Sequence, residues 1–173
     1  MRIYLRALNY NDSEYFYKWF LDPEIQSLTS GNFFYPSREY VNKWIEDKIF
    51  NSKEIYLGIC LSETNELIGY LSVSNIDHRN RKAEWGGLVI GNKDYWGRGY
   101  ATEAASLMLN YVFNELNINL FWAFWLEEHI SSIRMGEKLG FKKVGILPQS
   151  VFKGGKYYNQ LIMYITKEDY ISE

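Results

Sequence analysis

The stretch Trp96-Gly97-Arg98-Gly99-Tyr100-Ala101-Thr102-Glu103-Ala104 combines residue types that can hold an anion. Two glycines one residue apart let the backbone turn tightly and aim successive N–H groups the same way. A helix starting directly after them adds the positive end of its dipole. The chemistry this points to is phosphate binding by backbone donors rather than by a basic surface. Two familiar phosphate-binding fingerprints fail on spacing. A P-loop ends Gly-Lys-Ser/Thr, whereas Gly99 is followed by Tyr100. A dinucleotide fingerprint needs a third Gly or an Ala where Thr102 stands, inside a parallel βαβ unit, and the strands upstream read as hairpins. Other reactive residue types do not cluster. Cys60 lies in the apolar run Ile55–Leu61 and reads as a packed thiol. His78 and His129 have no Cys/His spacing of a metal site, so no metal is expected. The short basic run His78-Arg79-Asn80-Arg81-Lys82 reads as a solvated turn.

The elements that must position this segment follow from periodicity and punctuation. Alternation at Ile3, Leu5 and Ala7 predicts a strand near the start. Asn11-Asp12-Ser13 opens a helix running to about Leu21, stopped before Pro23. Ser37 caps a second helix carrying Tyr40, Val41, Trp44, Ile45 and Ile49 at helical spacing. Strands are expected at 54–61, 67–76 and about 82–90, the last two joined by a polar turn. A helix from about Gly99 to Leu116 presents one stripe of Ala101, Ala104, Ala105, Met108, Val112 and Leu116. The nearly all-apolar run Asn119–Leu126 reads as a strand buried on both faces. A helix from about Ser131 to Leu139 stops at Gly140, and strands near 142–146 and 158–166 flank the turn Lys153-Gly154-Gly155-Lys156. The order β-α-α-β-β-β-α-β-α-β-β is that of an α+β fold, with a mixed sheet and helices on both faces.

With 173 residues and no linker, low-complexity stretch or repeat, one domain over 1–173 is expected. The 47% hydrophobic and 18% aromatic content exclude a disordered chain. A net charge of −2 gives no electrostatic reason to expect nucleic acid or an anionic membrane surface. The start carries no apolar signal-peptide core, and no run of about 18 apolar residues exists to span a membrane. One cysteine allows no intrachain disulfide and fits a reducing compartment, so a cytoplasmic location is expected.

Strand, turn, Gly-x-Gly-x-Ala, amphipathic helix, buried strand, and a helix ending Glu137-Lys138-Leu139-Gly140-Phe141 resemble the GNAT superfamily of acetyl-CoA-dependent N-acetyltransferases. More narrowly, the chain resembles the branch of ribosomal-protein N-terminal alanine acetyltransferases and related small-amine and nucleotide-sugar enzymes. Trp19 with Asp22-Pro23-Glu24, and Gly155-Lys156-Tyr157-Tyr158, extend the likeness over nearly the whole chain. The resemblance implies a seven-stranded, mostly antiparallel sheet and acetyl-CoA as donor. It puts the pyrophosphate on the backbone of Trp96, Gly97, Arg98, Gly99, Tyr100, Ala101 and Thr102. It puts the pantetheine arm along Leu88, Val89 and Ile90, like an added strand.

Three positions depart from the family pattern. Trp96 stands where Gln or Arg is usual. His129 stands where most relatives have an Asn that contacts the cofactor and caps a helix, leaving Ser131 or Ser132 for the cap. Gly136 stands where many relatives carry a tyrosine acid for the departing thiolate.

Acetyl transfer to an amine needs a neutral amine, a donor for the oxyanion and a proton for the thiolate. Backbone N–H groups near Gly87 or Leu88, at a Gly86-Gly87 bulge, are candidates for the oxyanion. Glu84 is either the general base, attracting the amine as well, or a solvated strand residue. Ser132 is either the acid or a helix cap. Trp19, Phe33, Phe34, Tyr157 and Tyr158 are the aromatics available to the acceptor, with core packing as the alternative for each. Asn159 stands where relatives often have Asp, which weakens the case for a polyamine. The acceptor is expected to be a small amine, an amino sugar or a peptide N-terminus. The protein is expected as monomer or homodimer, and a catalytically silent acyl-CoA-binding module is the alternative class.

Overall fold

The computed structural model describes residues 1–171. Seven strands form one sheet: β1 (Ile3–Ala7), β2 (Ile55–Leu61), β3 (Leu67–Asp77), β4 (Lys82–Ile90), β5 (Leu120–Leu126), β6 (Lys142–Lys153) and β7 (Lys156–Thr166). Their order across the sheet is β1-β2-β3-β4-β5-β7-β6. All neighbours are antiparallel except β4 and β5. The mostly antiparallel seven-stranded sheet with helices on both faces is the expected fold.

The helices are α1 (Ser13–Leu21), α2 (Pro23–Ser27), α3 (Arg38–Ile49), α4 (Tyr100–Asn110), α5 (Ile130–Lys138) and α6 (Lys167–Ile171). The Asn11 start of the first helix is corrected. Residues 10–12 form a separate turn, because the Asn9 side chain accepts from the Asn11 amide and Asp12 reaches back to the Asn9 amide. Asp12 is then held by two 2.8 Å bonds from Arg6. The short α2 was not foreseen. Pro23 ends α1 but also starts the next turn, with Asp22 accepting from the amides of Glu24 and Ile25. The helix expected to reach Leu116 loosens after Asn110 into a wider turn over residues 111–115. The last hairpin is longer than its apolar pattern, because β6 carries register shifts that spoil its alternation.

Two apolar cores flank the sheet. One lies under α4 and α5 and contains Ala104, Met108, Phe113, Phe121 and Trp85. The other lies under α1 and α3 and centres on Phe16, fully buried beneath the rings of Trp19, Phe20, Trp44 and Tyr70 at 4.7–5.8 Å. Gly140 turns the chain out of α5 at φ 86°, and the Phe141 amide returns to the Gly136 carbonyl at 2.9 Å. Phe16→Ala is expected to lower unfolding free energy by about 3–5 kcal/mol, read from chemical denaturation. A loss below about 1 kcal/mol would mean that the aromatic cluster is not a core.

Candidate active site

The site starts where β4 and β5 part. They pair only from Lys82–Trp85 to Leu120–Ala123; beyond that β4 bonds only β3, and β5 only β7. The parting coincides with a bulge. Val73 of β3 pairs with Trp85 and Ser72 with Gly87, leaving Gly86 extra. A Cβ on Gly86 would lie 2.6 Å from the Ser72 hydroxyl and 3.0 Å from that of Ser74, so a side chain there would have to push these hydroxyls aside. The outer backbone edge of β4 after the bulge therefore faces open space instead of a strand. Two cavities occupy this fork.

The first cavity, of about 410 Å³, runs along Leu88–Ile90 to Tyr95, Trp96, Gly97, Gly99, Tyr100 and Ala101. Its loop is braced from three sides. The Trp96 indole donates to the Ile90 carbonyl at 2.6 Å, and the Tyr95 hydroxyl donates to Glu66 at 3.0 Å. Arg2 donates to the Arg98 carbonyl at 2.9 Å, to Glu103 from both its amide and its guanidinium, and covers the Tyr100 ring at 4.3 Å. Gly97 and Gly99 take φ 70° and 81°, a conformation costly to other residues. Gly99 directly precedes α4, whose first N–H groups have no partner within the helix. Glycines, helix N-terminus and unpaired strand edge fit a pyrophosphate followed by an amide-bearing arm.

The second cavity, of about 320 Å³, lies on the α1 side and is walled by Phe20, Phe34, Tyr56, Tyr70, Phe124 and Trp125, with Gln26, Thr29 and Ser72 among its polar groups. Burial pushes the Tyr56 and Tyr70 hydroxyls above the usual phenol range, so both stay neutral donors. The two cavities share Leu28, Thr29, Leu88, Val89, His129, Ser132 and Met135. At this junction His129 Nδ1 and Ser132 Oγ lie 3.1 Å apart. Burial holds the His129 imidazole below its ordinary pKa, favouring the neutral ring.

The sequence-derived candidates separate on this frame. Leu88, Val89, Ile90, Trp96, Gly97, Gly99, Tyr100, Ala101, His129 and Ser132 line the first cavity, and Phe34 lines the second. Arg98 and Thr102 line neither; each is occupied through its carbonyl, by Arg2 and by the Ser106 hydroxyl. Trp19 is core, because Gly91 lets its indole pack where a Cβ would sit 2.1 Å away. Phe33 packs on Tyr35 and Tyr157 on Phe152, both exposed and outside the two cavities. Tyr158 borders a third recess with Glu128, His129 and Lys153. Glu84 lines neither main cavity. It sits before the bulge, where β4 is still paired, and its carboxylate accepts from Asn75 at 2.7 Å. Neither Ser132 nor His129 caps α5 with its side chain. Arg2, Tyr56, Tyr70, Ser72 and Trp125 escaped the sequence reading, since strand and core placements carry no motif. Among the described residues no group of three or more His, Cys, Asp or Glu could hold a metal, and no helix is long and apolar enough to cross a membrane.

Comparison with known proteins agrees with this geometry. Residues 2–142 match the acetyltransferase (GNAT) domain family model, and the chain belongs to that family. It is an acyltransferase with acetyl-CoA as donor. The uncharacterized N-acetyltransferase p20 of Bacillus licheniformis is 27% identical over 98% of this chain and 95% of its own. The spermidine N(1)-acetyltransferase of Escherichia coli K12 is 33% identical over 62% of this chain and 57% of its own. The spermidine N-acetyltransferase of Vibrio cholerae, solved with CoA and spermine, superposes with a TM-score of 0.90 over 98% of both chains at 23% identity.

Gly99→Val is expected to weaken acetyl-CoA binding about tenfold or more in calorimetry, from the strain of a branched residue at positive φ. Unchanged affinity would remove the loop from the phosphate site. Glu84→Gln is expected to keep turnover and its pH profile; a large loss of turnover together with the acidic limb of the profile would return Glu84 to the role of base.

Proposed function

We propose that the chain acetylates the primary amine of a small molecule with an uncharged body, an amino sugar or a flat monoamine, in the branch that also contains ribosomal-protein N-terminal alanine acetyltransferases. The observation carrying this reading is the junction of a phosphate-loop cavity with an aromatic cavity at one strand fork. Acetyl-CoA supplies an activated acyl carbon when bound. The chain's own groups do the rest. The aromatic walls take up the body of the acceptor and leave its neutral amine facing β4. A backbone N–H near Gly87 or Leu88, on the edge of β4 that β5 leaves after the bulge, is the donor for the oxyanion. Ser132, open to both cavities, gives its proton to the leaving sulfur.

A spermidine-like polycation fits less well. Among the described residues, the wall of the second cavity carries no carboxylate, and its polar side chains are hydroxyls, amides, indoles and the imidazole of His129. A charged tail would lose hydration there without an ion partner. Asn159, in contact with Glu127 at 2.8 Å, adds no charge of its own. A peptide N-terminus is the second acceptor type, because the cavity opens beside the exposed loop residues Ser30 and Asn32.

Thiol release from acetyl-CoA should be followed over amino sugars, aromatic and aliphatic monoamines, an N-terminal alanine peptide and spermidine. Neutral-bodied monoamines are expected to exceed spermidine about tenfold in kcat/KM, the worth of one missing ion partner. Spermidine as the best acceptor would overturn the acceptor reading. Acetyl-CoA binding with no turnover on any amine would mark a silent acyl-CoA-binding module.

A further inference from the structure

Position 136 cannot present a side chain to the junction. A Cβ there would lie 2.4 Å from two atoms of the Trp125 ring, which fills the space beside that turn of α5. One turn earlier on the same helix face stands Ser132, and one further step back His129. Their contact joins side chain to side chain, at a helix start where no side chain caps the backbone, so capping does not explain it. His129 also borders three hollows at once: the donor cavity, the acceptor cavity and the recess with Glu128, Lys153 and Tyr158. Among the described residues lining the two main cavities it is the only imidazole. It therefore connects the reacting centre with the protein surface.

We propose that His129 is the proton-carrying partner of Ser132, and that the pair, in place of a side chain at position 136, protonates the leaving sulfur. This rests on the acetyltransfer reading above. The amine nitrogen forms its bond to the thioester carbonyl carbon, and the C–S bond breaks with its electron pair on sulfur. The Ser132 Oγ–H proton goes to sulfur. The His129 Nδ1–H proton goes to Oγ and restores the hydroxyl. Nε2 takes a proton from water in the recess, and the proton lost by the amine returns to water. The imidazole begins and ends neutral, as its buried setting favours, and exchange with water that removes the Nε2 proton and returns one to Nδ1 restores the starting tautomer before the next turnover. His129 acts through Ser132 and is a positioning and relay residue; Ser132 is the group that meets the substrate.

The test compares two donors: acetyl-CoA, and the acetyl ester of 4-nitrothiophenol, whose thiolate leaves without help. Ser132→Ala and His129→Asn, each checked by thermal melting, are expected to lose about 10²-fold in kcat with acetyl-CoA, a typical general-acid contribution. With the aryl thioester both are expected to stay within a few-fold of wild type. Equal losses with both donors, or no loss with acetyl-CoA, overturn the proposal. His129→Asn keeps a hydrogen-bond donor but cannot pass a proton, so wild-type rates in that variant overturn the relay. The wild-type protein gives a readout independent of variants: ¹⁵N spectra of the imidazole should show the Nδ1–H tautomer. An unprotonated Nδ1 would sink the assignment. A wild type that releases no thiol with any amine defeats the acetyltransfer reading itself, a result distinct from active but insensitive variants.

Discussion

One constraint organises the molecule: two parallel strands that begin as partners cannot stay so past Trp85 and Ala123. The extra residue Gly86 shifts the register of β4 against β3, and after Ala123 β5 keeps only its pairing with β7 on the other edge. Buried backbone groups need partners. The edge of β4 that lines the first cavity therefore offers an amide-bearing ligand the same bonds a neighbouring strand would make. The parallel pair is also what places α4 at the end of β4, so the helix N-terminus and the unpaired edge arrive at one point.

The two sides of the fork solve different problems. Around the first cavity the framing is rigid backbone. Positive-φ glycines, the Trp96 bond to Ile90 and the Arg2 clamp hold the loop. Around the second cavity the framing is aromatic rings with neutral hydroxyls between them. The ring cluster around Phe16 supports that wall from behind, through its contacts with Phe20 and Tyr70.

Much of the donor half was legible in the sequence because its chemistry is local. A Gly-x-Gly before an apolar-striped helix names its own backbone conformation, and most of residues 96–101 do line the first cavity. The second cavity was less legible because it is assembled from α1, α2 and the loop after it, β2, β3, β4, β5 and α5. Trp19 and Phe34 are both aromatic residues near the start, and only packing against Gly91 sends one to the core and leaves the other at the cavity. Glu84 carries the right chemistry on the right strand. Its place outside the lining of both cavities follows from where the bulge falls, two residues further on, which no residue type announces. Trp125 read as one more apolar residue of a buried strand. Its role depends on the missing side chain at Gly136, a partner eleven positions away on another element.

Lys153 has a consequence for how such a fold changes over time. Its ammonium donates to the carbonyls of Gln26 and Thr29, joining the β6–β7 hairpin to the end of α2 and the loop after it. Burial lowers its pKa, and those carbonyls are its bonding partners. The hairpin and the loop after α2 are thereby joined, and α2 is joined in turn to the turn before the glycine loop through Lys93, which pairs with Asp22 and Glu24. Sequence drift in any one of the three segments is felt by the others. A lineage that reshapes this loop must change the hairpin and the turn at Lys93 along with it.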